Sequence, residues 1–68
     1  MHNMLIIIGA SGHGKVVADI AMKTNKWQNI AFLDDDENIR IVMGLEIIGK
    51  IPEAYKYKEK ADFFVAIG

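Results

Sequence analysis

Apolar residues fall into short blocks along this chain, and the spacing within each block differs. Met4 to Ile8 is apolar at every position and is closed by Gly9. A run without polar alternation predicts a strand covered on both faces, as in a parallel sheet. From Lys15 to Lys26 the period changes: Val16, Val17, Ile20 and Ala21 recur at helical spacing, with Lys15, Asp19 and Lys23 four apart on the opposite, wet face. Asn25 suits the helix stop. Ile30-Ala31-Phe32-Leu33 is a second buried-strand run, ending at Asp34.

Strand, glycine-rich turn, helix and strand within about 35 residues make a βαβ unit. Its right-handed crossover lays the second strand beside the first. Ile39 to Val42 alternates weakly, and Leu45 to Ile48 lies between Gly44 and Gly49, so a short strand or hairpin is expected there. Pro52 predicts the first turn of a helix running to about Lys60, with a thin apolar face of Ile51, Ala54 and Tyr55. Asp62 to Ile67 reads as a third buried strand. The expected fold is α/β, a truncated three-layer Rossmann-like parallel sheet in the order β-α-β-(short β)-α-β. The last strand has no following helix to cover it, so residues 1–68 read as part of a longer protein. Uncovered apolar edges predict self-association of the piece.

Composition narrows the function. The chain has 68 residues, 51% of them hydrophobic and 25% charged, which fits one small folded domain. Eight Lys and Arg against nine Asp and Glu leave a net charge of −1, so no basic surplus draws nucleic acid or anionic lipid. The Asp34-Asp35-Asp36-Glu37 knot and the alternating Lys56, Lys58 and Lys60 read first as solvated surface. With no cysteine and only two histidines, neither a disulfide nor a structural zinc is expected, and a cytoplasmic location fits. The N-terminal run is shorter than the ~20 residues of a membrane span and lacks the marks of a signal peptide.

Candidate chemistry centres on Gly9-Ala10-Ser11-Gly12-His13-Gly14-Lys15-Val16, between the first strand and the helix. Gly9, Gly14 and Lys15 fit the start of a triphosphate P-loop, but Val16 replaces the hydroxyl residue that binds magnesium. Gly9 and Gly14 also supply the outer glycines of the dinucleotide fingerprint. Ser11 replaces the middle one, and Asp34 or Asp35 stands where an acidic residue would meet ribose hydroxyls. What both patterns share is a nucleotide diphosphate at a helix N-terminus. His13 at the helix mouth reads equally as a phosphate donor or as a surface histidine. Trp27 reads as a cap on the core, or as a contact to a neighbour outside these residues, in preference to a base-stacking residue.

Residues 7–19, Ile-Ile-Gly-Ala-Ser-Gly-His-Gly-Lys-Val-Val-Ala-Asp, closely resemble the opening motif of bacterial sugar acyltransferases. These include sialic acid O-acetyltransferases and the N-acetyltransferases of UDP-4-amino-sugars in the bacillosamine pathway. The likeness continues through Phe32 to Asp36, Gly44 to Gly49 and Ala61 to Gly68, nearly the whole chain. It implies an N-terminal Rossmann-like domain holding a UDP-amino-sugar or related nucleotide sugar. It also implies a trimeric parent whose left-handed β-helix of hexapeptide repeats binds acetyl-CoA and carries the catalytic histidine. By position, Gly9, Ala10, Ser11, Gly12, His13 and Gly14 would meet the diphosphate and sugar. Asp34, Asp35 and Asp36 would lie near the uridine, and Ile67 and Gly68 would line the same crevice.

Residues 1–68 contain no hexapeptide repeats, so the general base and the acetyl-CoA site are expected outside them. No catalytic residue and no bound cofactor or metal is assigned to the piece, and it is expected not to transfer acetyl groups by itself. Two other readings stay open: the dinucleotide-binding fragment of an oxidoreductase, and a stand-alone nucleotide-binding module.

Overall fold

The computed structural model describes residues 2–67. In chain order the elements are β1 (Met4–Ile8), α1 (Gly12–Thr24), β2 (Asn29–Leu33), β3 (Ile41–Val42), β4 (Leu45–Gly49), a 3-10 helix (Ile51–Tyr57) and β5 (Asp62–Val65). The five strands form one sheet in the order β3-β4-β2-β1-β5. β4, β2, β1 and β5 run parallel, while β3 pairs antiparallel to β4 at the edge. The fold is therefore α/β and Rossmann-like, as expected, with a two-residue antiparallel strand added to the parallel sheet.

The all-apolar β1 lies inside the sheet, between β2 and β5, and both of its faces are covered. Leu5 and Ile7 join Ala18, Ala21 and Phe32 under α1, while Ile6 joins Leu33 and Ala61 on the other face with Ile51, Ala54 and Tyr57. Alternation of side chains along the strand produces this division. α1 and the 3-10 helix are thus the outer layers of a three-layer arrangement, the second much the thinner.

The helix differs from the pattern reading at its start and in its face. It begins at Gly12, a turn before Lys15, because Ser11 takes the extended N-cap conformation; it ends at Asn25, which is left-handed at φ 55°. The sheet is met by the small residues Gly14, Ala18 and Ala21, whereas Val16 and Ile20 are each 57% exposed. Close approach of helix to sheet selects small side chains on the contact face and turns Val16 and Ile20 outward, while Val17 packs at its margin, partly buried.

Two further expectations are corrected. The helix from Pro52 is a 3-10 helix ending at Tyr57, not an α-helix to Lys60. At three residues per turn Ile51, Ala54 and Tyr57 align on the core side, and Tyr55 is 71% exposed. β5 is shorter than expected and is not buried. Among the described residues it is an edge strand paired with β1 alone, and Phe63, Phe64 and Val65 are exposed. The expected hairpin is present: Met43 and Gly44, with φ 56° and 76°, close a two-residue turn between Val42 and Leu45.

Candidate functional site

The chain runs outward from β1 through β2 to β4 and returns on the far side of β1 as β5. Strand order therefore reverses at β1, and the loop after β1 emerges where ligands of open α/β sheets bind. That loop is held on both sides. Gly9 N donates to Leu33 O at 2.8 Å, and Ala66 N donates to Ile8 O at 2.8 Å. Gly9 has φ 104°, which L side chains rarely adopt, and a Cβ there would lie 2.9 Å from the Ala66 carbonyl oxygen. Gly14, in the first turn of α1, packs directly on the Gly9 carbonyl.

Beside this loop, at the carboxyl end of β2, lies a crevice of about 410 Å³ lined by Ala10, Ser11, Lys15, Asp34, Asp36, Ile39 and Val42. Its walls are the glycine loop with the start of α1 on one side and the acidic loop with β3 on the other. The first-turn amides of α1 have no intrahelical acceptors, so they and Lys15 give this wall a positive character.

The three aspartates have separate bonding patterns. Asp34 Oδ2 accepts from Ala10 N at 2.8 Å, and its Oδ1 accepts from Asp36 N at 2.9 Å. Asp35 Oδ1 accepts from Ile51 N at 3.0 Å at the start of the 3-10 helix, and Asp35 does not line the crevice. Asp36 Oδ1 accepts from Asn38 N at 2.9 Å, a local turn.

Of the residues singled out by sequence, Ala10, Ser11, Asp34 and Asp36 come together in the crevice. Gly9, Gly12 and Gly14 shape the loop behind them. His13 is exposed and lies on the β5 side, its ring 6.3 Å from that of Phe64 at a tilt of 57°. Ile67 is exposed beside Gly9, and Gly68 is outside the described residues. Ile39 and Val42 line the crevice without having been singled out, and Lys15, noted in the P-loop pattern, lines it without having been assigned to the site. Lys15 is readable once Ser11 is taken as the N-cap, because Lys15 then belongs to the helix start. Val42 reaches the crevice through the expected β3–β4 hairpin and Ile39 through the loop before it, but nothing in the local sequence places that hairpin over the end of β2.

A hollow of about 440 Å³ lies along α1 and β5, lined by Val17, Ile20, Trp27, Phe63 and Phe64 among others. It contains none of the predicted site residues. Trp27 is half-buried, packs on the core and donates Nε1–H to Asp62 Oδ2 at 2.8 Å. Among the described residues no cluster of His, Cys, Asp and Glu is placed to hold a metal ion, and no helix is long and apolar enough to cross a membrane.

The family model of the PglD N-terminal domain matches residues 4–68. The chain belongs to that family. Of solved structures, the acetyltransferase domain of PglB from Neisseria gonorrhoeae FA1090, in complex with acetyl coenzyme A, is similar over 98% of this chain at 37% identity and a TM-score of 0.89. A second structure of the acetyltransferase domain of PglB from the same organism matches 97% of the chain at 37% identity and a TM-score of 0.87. In each case the chain spans 33% of the solved protein's length. No curated protein matches the chain. Membership of the PglD N-terminal domain family agrees with the resemblance carried by residues 7–19, and the matched span takes in both walls of the crevice.

Proposed function

We propose that residues 1–68 form the nucleotide-sugar-binding part of an acetyl-CoA-dependent sugar acetyltransferase of surface-glycan biosynthesis, working in the cytoplasm. The observation that carries this reading is the crevice at the carboxyl end of β2, where Ala10, Ser11 and Lys15 at the start of α1 face Asp34, Asp36, Ile39 and Val42. A diphosphate suits the first wall, since N–H groups and an ammonium favour an anion. A nucleoside suits the second, which offers a carboxylate for hydroxyl groups and two apolar side chains for a base. Support for acetyl transfer comes from the 37% identity to an acetyltransferase domain in complex with acetyl coenzyme A.

The division of labour follows. This part binds and orients the nucleotide sugar, with Gly9, Ala10, Ser11, Gly12 and Gly14 forming the diphosphate loop and His13 and Ile67 beside the sugar end. The acetyl-CoA site and the base that takes a proton from the attacking amine or hydroxyl belong to the parent protein's β-helix, in a homotrimer.

Titration of the chain with UDP, a UDP-amino-sugar and NADH, followed by amide chemical shifts, tests the reading. Shifts at Ala10 to Lys15 and at Asp34 to Val42, with UDP compounds binding at least tenfold tighter than NADH, are expected. Preference for NADH would replace the reading with that of a dinucleotide-binding fragment. Trp27 is a poor reporter, being hydrogen-bonded to Asp62 outside the crevice.

A further inference from the structure

We infer that Asp34 is a positioning residue: its carboxylate straps the glycine loop to the acidic loop and sets the width of the crevice, instead of binding the ligand itself. Both of its oxygens are occupied by backbone N–H groups from opposite walls, Ala10 on one side and Asp36 on the other. The bond to Ala10 joins residues 24 apart in sequence. The backbone of Asp34 is tied as well, its N–H donating to Gly49 O at 3.1 Å. One residue therefore links the ends of β1, β2 and β4. Asp35 and Asp36, by contrast, bond to Ile51 and Asn38 and do not reach the glycine loop.

The strap has a mechanical reason. Gly9 sits at φ 104°, and the peptide that follows it must be held in one orientation for the later amides to face the crevice. Gly9 N is already committed to Leu33 O, so the Ala10 N–H is the first loop amide beyond the sheet ladder. Anchoring it to Asp34 Oδ2 orients that peptide and leaves the helix-start amides for the ligand. A carboxylate beside a diphosphate would ordinarily repel it. Here two N–H groups compensate its charge, and preorganisation of the donors is what the anion gains.

The inference rests on the nucleotide reading above, and the experiment separates the two. Affinities for UDP and for inorganic pyrophosphate are measured on the wild-type chain and on Asp34→Ala and Asp34→Asn, alongside amide exchange at Ala10 and Asp36. Asp62→Ala, which disturbs the Trp27 contact outside the crevice, serves as the destabilised control. Asp34→Ala is expected to weaken UDP and pyrophosphate alike, by roughly tenfold, and to speed exchange at both amides. Asp34→Asn retains one acceptor oxygen and is expected to fall between; it carries the comparison if the alanine variant does not fold. Asp62→Ala is expected to lower the melting temperature with pyrophosphate affinity unchanged.

Removing a negative charge alone would tighten pyrophosphate, so a loss runs against simple electrostatics. Pyrophosphate affinity unchanged or raised while UDP affinity falls would make Asp34 a nucleoside ligand and overturn the strap. Unchanged exchange at Ala10 would overturn it too. If the wild-type chain takes neither UDP nor pyrophosphate, the nucleotide reading fails, and exchange at Ala10 and Asp36 alone decides the strap.

Discussion

The carbonyl oxygen of Gly9 occupies the space that a Cβ on Gly14 would need. This contact seats the first turn of α1 on the end of β1, next to the crevice that Ser11 and Lys15 line. The obstructing atom is backbone, so it cannot swing aside. Gly14→Ala is therefore expected to destabilise the fold by roughly 2–3 kcal/mol and to displace the loop. Gly12, two residues earlier, has nothing within 4 Å of its would-be Cβ. Gly12→Ala should be neutral or stabilising by up to about 1 kcal/mol. Denaturant melts of the two variants check the pair; equal effects would show that the Gly9–Gly14 contact does not govern the spacing.

The packing role of Gly14 is legible in the amino-acid sequence, because a glycine at that spacing after a buried strand has few other uses. β1, β2 and the stop at Asn25 are equally legible, since each depends on neighbours within a few residues. The contact face of α1 is not. Val16 and Ile20 carry the larger hydrophobicity, yet clearance to the sheet selects Gly14, Ala18 and Ala21. Nor does any local pattern reveal the bonding of Asp34 to Ala10, because it joins two loops whose distance depends on the whole βαβ crossover. The 3-10 geometry after Pro52 lies between these cases: Ile51, Ala54 and Tyr57 are three apart in the sequence, but the same letters also suit an α-helix.

Met43 bears a conformational cost at the tip of the β3–β4 hairpin. Its φ of 56° is left-handed, and it is exposed, so little tertiary packing holds it there. Asparagine tolerates this region far better than methionine. Met43→Asn should raise stability by about 0.5–1 kcal/mol, seen as a melting temperature several degrees higher. Met43→Val, β-branched, should lower it. If both variants melt at the wild-type temperature, the turn is relaxed in solution.

Acid should loosen the fold at two defined places. The indole N–H of Trp27 holds the Asp62 carboxyl below its ordinary 3.8. The Lys50 backbone N–H, and then Lys56, hold Glu53 below its ordinary 4.5. A depressed carboxyl contributes stability that is fully present above its ordinary value and is lost as the pH falls through the lower, folded value. Melting temperature should thus be insensitive to these groups near neutrality and drop below about pH 4. Trp27→Phe removes the donor to Asp62, and Glu53→Gln removes the second titration. Each variant should be less stable at neutral pH and lose less on acidification, so that its curve converges on that of the wild type. Curves that stay parallel to the lowest pH would assign the acid response to other carboxylates.

Lys15 is the crevice residue whose role is easiest to isolate, because its side chain is exposed and its removal leaves the helix intact. Its backbone N–H donates to Ser11 O at 2.9 Å, closing the first turn of α1 whatever side chain it carries. Glutamine keeps nearly the same length and helix propensity, so Lys15→Gln tests charge with little change in shape. An exposed ion pair contributes up to about 1 kcal/mol, or roughly a fivefold change in affinity. UDP binding should weaken by about that factor in Lys15→Gln at low salt. Screening shortens the reach of such a contact from ~30 Å at about 0.01 M salt to ~3 Å at about 1 M. The gap between wild type and variant should therefore close as salt rises, while uridine, which lacks phosphate, should bind both forms equally. A deficit that persists at high salt, or that extends to uridine, would mean that Lys15 shapes the pocket and does not neutralise the diphosphate.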